Sequence, residues 1–360
     1  MYSESDIDAA VTAGAITPGA AAALRDHVAA SRASPAVDEE QFRLVTGFND
    51  IFVTIAIVLL LVALAQIGGA IAAMMGGALV AGAAWLLSEY FTRRRRMALP
   101  SIALLLAFVG GVAAMLSGVL NELTGNYTTG PFAVDAATQP GGINSAAAML
   151  FAGVAALTAL GAWLHWRRFH VPITIAAGAV AVVAFAVALL TAAAPSPETP
   201  WAGVFTGGLA TFALAMRWDL SDRERRTRRS DVAFWLHLAA APLIAHPVFR
   251  LLGVFEGDIG AGTAVAVLAL YVAFAFVALA IDRRALLVSG LAYVLYALAS
   301  LIRDTGAVEL SAALTALVIG SALLCLSAFW QTIRRPVVRA LGDWGERLPP
   351  VAQPFTPRPA

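Results

Sequence analysis

The feature that most constrains this chain is an apolar run that keeps returning. "ITIAAGAVAVVAFAVALLTAAA" (173–194) contains no charged residue, and comparable runs fill most of the 360 residues. A helix needs about 20 predominantly apolar residues to cross a bilayer, because each residue rises about 1.5 Å against a hydrocarbon core of about 30 Å. The runs are continuous. Strands of a membrane barrel would alternate apolar and polar positions over roughly 10 residues, so that architecture is disfavoured. Composition agrees: 60% of residues are hydrophobic and 13% charged, where a soluble domain averages about 45–50% and about 25%. The expected fold is an all-α polytopic transmembrane bundle.

The length rule predicts ten spans, at approximately 51–67, 70–90, 99–119, 145–165, 170–193, 200–217, 232–252, 260–281, 285–302 and 308–330. The first two are separated only by "QIGGA", which requires a tight glycine turn. The basic residues test this count. All 24 are arginine, and no lysine occurs, a pattern expected from the coding bias of a GC-rich bacterium. With ten spans, 22 arginines fall on the side that carries both termini. Only Arg250 and Arg303 fall opposite. Arginine in short loops stays cytoplasmic. The expectation is therefore a bacterial inner-membrane protein with both termini inside.

Residues 1–47 read as a cytosolic helical hairpin and linker, 48–330 as the transmembrane domain and 331–360 as a cytosolic tail. Ile7, Val11 and Ile16 suggest one short helix. Thr17 suits the cap of a second and Pro18 its first position, where a missing N–H costs nothing. The N-terminus has no basic segment followed by an apolar one, so it does not read as a cleaved signal. Asn49 and Asp50 fit the cap of the first span. In the tail, Val337, Leu341, Trp344 and Leu348 recur at helical spacing and predict a short interfacial helix before a proline-rich end. Ten spans also divide into five and five, and 51–193 and 200–330 could be inverted halves of the kind many transporters use.

Ionisable groups inside a membrane are costly and mark function by default. No Asp or Glu lies near the middle of any predicted span, which argues against a carboxylate-driven pump. Glu89, beside "TRRRR", reads as an interfacial acid paired with arginine. "WLHWRRFH" (163–170) reads as an aromatic and arginine anchor belt. Glycines 76, 77, 82, 207 and 208 read as points of close helix contact.

The exception is "DVAFWLHLAAAPLIAHPVFR" (231–250). Pro242 and Pro247 each remove a backbone donor and free a carbonyl one turn earlier. They predict a break in the helix, with His246 at the break and Arg250 one turn beyond. Broken backbone is tolerated only against protein or a water-filled cavity. Two readings stand. In one, His246 and Arg250 cap the freed carbonyls or reach for headgroups, while His237 hydrogen-bonds a neighbouring helix. In the other, the broken segment lines an outward-facing polar cavity with His237, Asn121, Glu122, Asp258, Arg303 and Asp304 as companions. His237 and His246 are nine residues apart and face opposite ways, so no metal pair is expected.

No nucleotide-binding loop, nucleophile elbow, zinc-protease or dithiol motif is present. No cofactor, metal or nucleic-acid partner is expected. The bilayer is the expected partner, with anionic lipid headgroups at the Arg-rich loops and a protein partner for 1–47 or the tail. "DIDAAVTAGAITPGAAAAL" followed by "DEEQFRLVTGFNDIF" and Ala/Gly-rich spans resembles uncharacterised bacterial multi-pass inner-membrane families with a short N-terminal helical hairpin. The resemblance implies that architecture and brings no activity or site residues with it. The ten-span plan is also similar to that of drug and metabolite exporters. Three function classes follow: a small-molecule permease or exporter as the leading one, a non-catalytic membrane scaffold or regulatory protein, and a lipid-linked enzyme using Glu122 or Asp135 with His246.

Overall fold

A computed structural model describes residues 4–24, 48–124, 145–223, 227–254, 261–284, 286–287, 290–291, 294–295, 298 and 311–349. The chain divides into two units, Arg43–Pro350 and a smaller one of Met1–Phe42 with Val351–Ala360. In the smaller unit, α1 (Glu4–Thr12) is followed by a turn at Gly14, which has φ +69°, and by helical backbone over 18–24. The Ala20 amide donates to Thr17 Oγ1 at 3.1 Å, which is the predicted cap.

Among its described residues the larger unit consists of helices joined by short turns, with no strand. Its elements are α2 (Phe48–Ile71), α3 (Ala73–Ser88), a π-helical turn (Glu89–Arg94), α4 (Ala98–Thr124), α5 (Ser145–Phe169), α6 (Ile173–Ala193), α7 (Thr199–Leu220), α8 (Arg228–Leu251), α9 (Ala261–Ile281), α10 (Ser311–Ala328), α11 (Trp330–Ala340) and α12 (Asp343–Arg347). Among the described residues seven helices are long and apolar enough to cross a membrane, or up to eight if the bent pair α10 and α11 is one span. α7 has sufficient length at 22 residues, but Thr, Gly and Trp dilute it and it is not among the seven. The predicted span 285–302 lies largely outside the described residues.

Large apolar side chains cover the outside of the unit. Ile71, Leu86 and Leu324 are all at least 70% exposed. A contiguous surface of this kind marks contact with an apolar medium, here lipid. α2, α3 and α4 pack together, α4 leans on α5, and α5 pairs with α6. α6, α7 and α8 form a second group, and α11 packs on α9. α8 is the most internal span: half of its apolar window is buried, against 17% for α2.

Several boundaries move from the sequence expectation. The α2–α3 reversal uses one extended residue, Ala72 (φ −158°, ψ 152°), and "QIGGA" stays helical. Gly68 serves packing instead: a Cβ there would lie 2.7 Å from Gly76 Cα, whereas one on Gly69 would meet nothing within 4 Å. Asn49 and Asp50 sit within the first turn of α2 rather than before it, where Asp50 is buried and faces the positive helix end. The tail forms two short helices in place of one. Gly342, at φ +53°, separates α11 from α12.

Small residues set the α3–α4 distance. A Cβ on Gly118 would fall 2.6 Å from Met74 Cα. One on Gly77 would meet the Gly111 carbonyl at 2.6 Å and come closer still to the Met115 amide. Without a water-driven hydrophobic term, such backbone proximity is a principal source of helix association in lipid. Gly82 has nothing within 4 Å and is not a packing glycine. Gly77→Ala should therefore lower the unfolding free energy in mixed micelles by about 1–3 kcal/mol, the usual overpacking cost, while Gly82→Ala leaves it unchanged.

Candidate functional site

Among the described residues, oppositely charged side chains are enclosed together where α7, α8 and α9 meet. Asp219 lies in the last turn of α7, His237 in the third turn of α8 and Arg283 just beyond α9. Their exposures are 1%, 0% and 2%. Arg283 Nε donates to Asp219 Oδ2 at 3.0 Å, and Arg283 Nη2 donates to Oδ1, a two-pronged pair. His237 Nε2 meets the same Oδ2 at 3.1 Å. Arg283 Nη2 also donates to the Ser230 carbonyl at 3.2 Å. The Phe212 ring closes the edge of the imidazole at 5.2 Å.

The chain reaches this geometry through the end of α9. Asp282 takes a left-handed conformation, φ +58°. The Arg283 amide bonds the Ala278 carbonyl and the Asp282 amide bonds that of Leu279, the paired pattern that terminates many helices, with Asp where glycine is usual. The turn sends two adjacent side chains to different partners. Arg283 goes to Asp219, and Asp282 goes to α11, where its Oδ1 accepts from Trp330 Nε1 at 2.7 Å. Arg334 Nε lies 3.6 Å from that same oxygen. Arg334 is fully buried, donating from Nε to the Leu279 carbonyl at 3.0 Å and from Nη2 to the Pro349 carbonyl at 2.6 Å. Arg284 lies over the Trp330 ring at 4.9 Å. Outside this core, Arg223 Nη2 donates to the Leu348 carbonyl at 3.0 Å. Two acid–base pairs thus tie α7, α8, α9 and the C-terminal helices into one polar cluster.

A carboxylate on an imidazole can orient a general base. Here the same carboxylate oxygen is shared with a guanidinium, and all three side chains are enclosed. The arrangement suits holding helices together better than presenting a base to a substrate. A buried charge is tolerated only when it is paired and its remaining donors are satisfied, and Arg283 and Arg334 meet that condition.

The residues predicted to line a cavity are not assembled into one. α8 runs unbroken from Arg228 to Leu251 through both prolines, correcting the expected helix break. Pro247 is buried, and α7 comes so close that a Cβ on Gly208 would lie 2.9 Å from Leu243 backbone. A proline removes one donor, and this close packing on the stretch between the two holds the remaining turns. His246 and Arg250 share the Trp201 ring, at 5.4 Å and 4.6 Å. His237 faces away from them, toward Asp219, the neighbouring-helix bond that one sequence reading allowed. Asn121 and Glu122 sit near the end of α4, and no hydrogen bond or ion pair among the described residues joins them to α8. Asp258, Arg303 and Asp304, like Asp135, lie outside the described residues. Among those residues no group of three or more His, Cys, Asp or Glu could hold a metal.

Sequence reasoning missed Asp219, Asp282, Arg283 and Arg334, which it assigned to cytoplasmic loops and tail. The available signal was an acid within one turn of a predicted span end, twice, at "RWDL" and "IDRR". His165 also departs from its predicted place in the anchor belt. It is fully buried, with Trp85, Phe108 and Phe169 around it at 4.6–6.1 Å and Thr174 Oγ1 at 3.5 Å from Nδ1. Trp163 of the same belt is half exposed, as an anchor should be.

No family model, curated protein or solved structure matches the chain. Removing one partner of a buried ion pair leaves an uncompensated charge, which costs about 3–5 kcal/mol. Arg283→Met should show that loss in detergent unfolding. Asp219→Leu combined with Arg283→Met should lose less than the sum of the two single changes. Additive losses would mean that the pair does not couple α7 to α9.

Proposed function

We propose that this chain is a non-catalytic membrane scaffold or regulatory protein whose C-terminal segment is clamped to the transmembrane bundle. The observation that carries the reading is Arg334. A guanidinium on the tail side of a 74° bend is buried without residual exposure, bonded to the end of α9 and to the Pro349 carbonyl. Burying an arginine is costly unless its geometry is well matched, so the clamp is a specific device. A segment held by one polar cluster can be released as a unit, which is what a regulatory tail requires. Asp219, His237 and Arg283 sit behind it and keep α7, α8 and α9 in register.

One observation favours a second reading, a small-molecule permease or exporter: three ionisable groups meet between helices of a membrane bundle, where such groups commonly mark an ion or substrate path. The two readings separate on flux. Proteoliposomes containing the full chain should show no saturable uptake across a panel of metabolites and ions. Uptake that is abolished by Asp219→Asn would replace the scaffold with the permease.

The clamp has its own readout. Arg334→Gln should raise hydrogen exchange over 330–348 strongly while leaving α3 and α4 protected. Unchanged exchange would remove the basis for a releasable tail. The same reading places the chain in a bacterial inner membrane with ten spans and both ends inside, supported by the distribution of 22 arginines to one side. Reporter fusions at Met1 and Ala360 should both give cytoplasmic signals.

A further inference from the structure

A second charged assembly lies where α3 and α5 end. "EYFTRRRR" (89–96) follows α3 directly, and the helix widens there into a π-turn over Glu89–Arg94. The Arg95 amide bonds the Tyr90 carbonyl at 2.9 Å, and the Met97 amide bonds that of Phe91 at 3.1 Å. π-turns are rare and concentrate at functional places. Arg96 then takes φ +53° and turns the chain into α4. The result is four consecutive exposed arginines at one end of the helix. α5 adds Arg167 and Arg168, also exposed.

Four of these six guanidiniums are positioned by their neighbours. Glu89 accepts from Arg168 at 2.6 and 3.0 Å and from Arg93 at 3.2 Å, which links α5 to the π-turn. Arg95 Nε donates to the Tyr90 hydroxyl at 3.1 Å and lies over that ring. Arg167 lies 5.0 Å over Trp163. Ring contacts leave the cationic charge in place, so among the described residues one bonded carboxylate, Glu89, stands against six arginines. Arg94 and Arg96 have no hydrogen bond or ion pair among the described residues. Tyr90 and Trp163 are 42% and 49% exposed. Half-exposed aromatic rings at a helix end sit at headgroup depth, which sets the arginines at the level of lipid phosphates.

We propose that the arginines of the π-turn and the end of α5 form a binding surface for the phosphates of anionic phospholipids in the adjoining leaflet. Charge complementarity selects that occupant. Guanidinium forks match phosphate oxygens in two-pronged geometry, and a surface with five uncompensated positive charges favours anionic over zwitterionic headgroups. A cluster that served only to orient the chain during insertion would need its charge count and nothing more. The Glu89 bridge and the two ring platforms additionally fix where the charges stand.

The test is lipid retention by the purified full chain, read by native mass spectrometry with equal phosphatidylglycerol and phosphatidylcholine. Wild type should retain phosphatidylglycerol preferentially, and Arg94→Gln with Arg96→Gln should reduce that preference about tenfold, with added salt reducing it further. Neither side chain makes a hydrogen bond or ion pair among the described residues, so elution and helicity should match wild type. If the double variant is lost from membranes, Arg94→Gln and Arg167→Gln taken singly replace it, each lowering retention. Arg223→Gln, after α7, and Arg229→Gln, in the first turn of α8, serve as the α7–α8 loop variants and should leave retention unchanged. Equal retention of both lipids by wild type overturns the proposal. So does a preference that the α7–α8 loop variants abolish and the π-turn variants leave intact. Displacement of the lipid by inorganic phosphate at equal concentration would assign the charges to a free anion and overturn it as well.

Discussion

The pairing of Asp219 with Arg283 is the interaction on which the second half of this bundle depends. It joins residues 64 positions apart in surroundings where neither charge is tolerable alone. Water cannot compensate an error there, so α7, α8 and α9 have few alternative registers. His237 closes the third side by meeting the same oxygen. Hydrophobic matching alone would leave those helices free to slide, because one alanine-rich face resembles another. The ion pair supplies a register that apolar packing in lipid does not, since lipid tails are as apolar as the helices themselves.

The first half is organised differently. α2, α3 and α4 meet through glycine contacts, with no ionic cluster at their centre. Gly68, Gly76, Gly77, Gly111 and Gly118 let backbones approach within distances that a single methyl would block. Specificity there comes from shape, and at the helix ends from the Glu89 bridge. One chain therefore uses two methods of fixing helices in a membrane: close backbone contact on one side and enclosed charge on the other. The second also reaches the C-terminal helices, because Asp282 and Arg283 are adjacent and the left-handed turn at Asp282 directs them to different partners.

Much of the architecture was legible from local pattern. The helices from α2 to α10 fall near their predicted spans because apolar run length is a property of consecutive residues. The Thr17 cap and the pairing of Glu89 with Arg93 were legible for the same reason, since partners four or fewer residues apart declare themselves, whereas its bonds from Arg168, 79 positions away, were not. What misled the reading was charge. "RWDL", "IDRR" and "IRR" each look like a span ending in solvated residues, the pattern expected of short cytoplasmic loops. In fact Asp219, Arg283 and Arg334 turn inward. The prolines misled in the opposite direction. Each removes a single donor, but whether the helix then opens depends on what packs beside it, and α7 packs closely through Gly208.

The sequence by itself determined that this is a helical membrane protein, roughly where its helices lie and which loops carry positive charge. All three follow from hydropathy and spacing along the chain. Only the tertiary structure decided which charges face water and which are enclosed. A carboxylate one turn from a helix end has the same local sequence in either case. Its surroundings depend on whether a guanidinium from a distant helix arrives beside it, and that is a property of how the helices assemble.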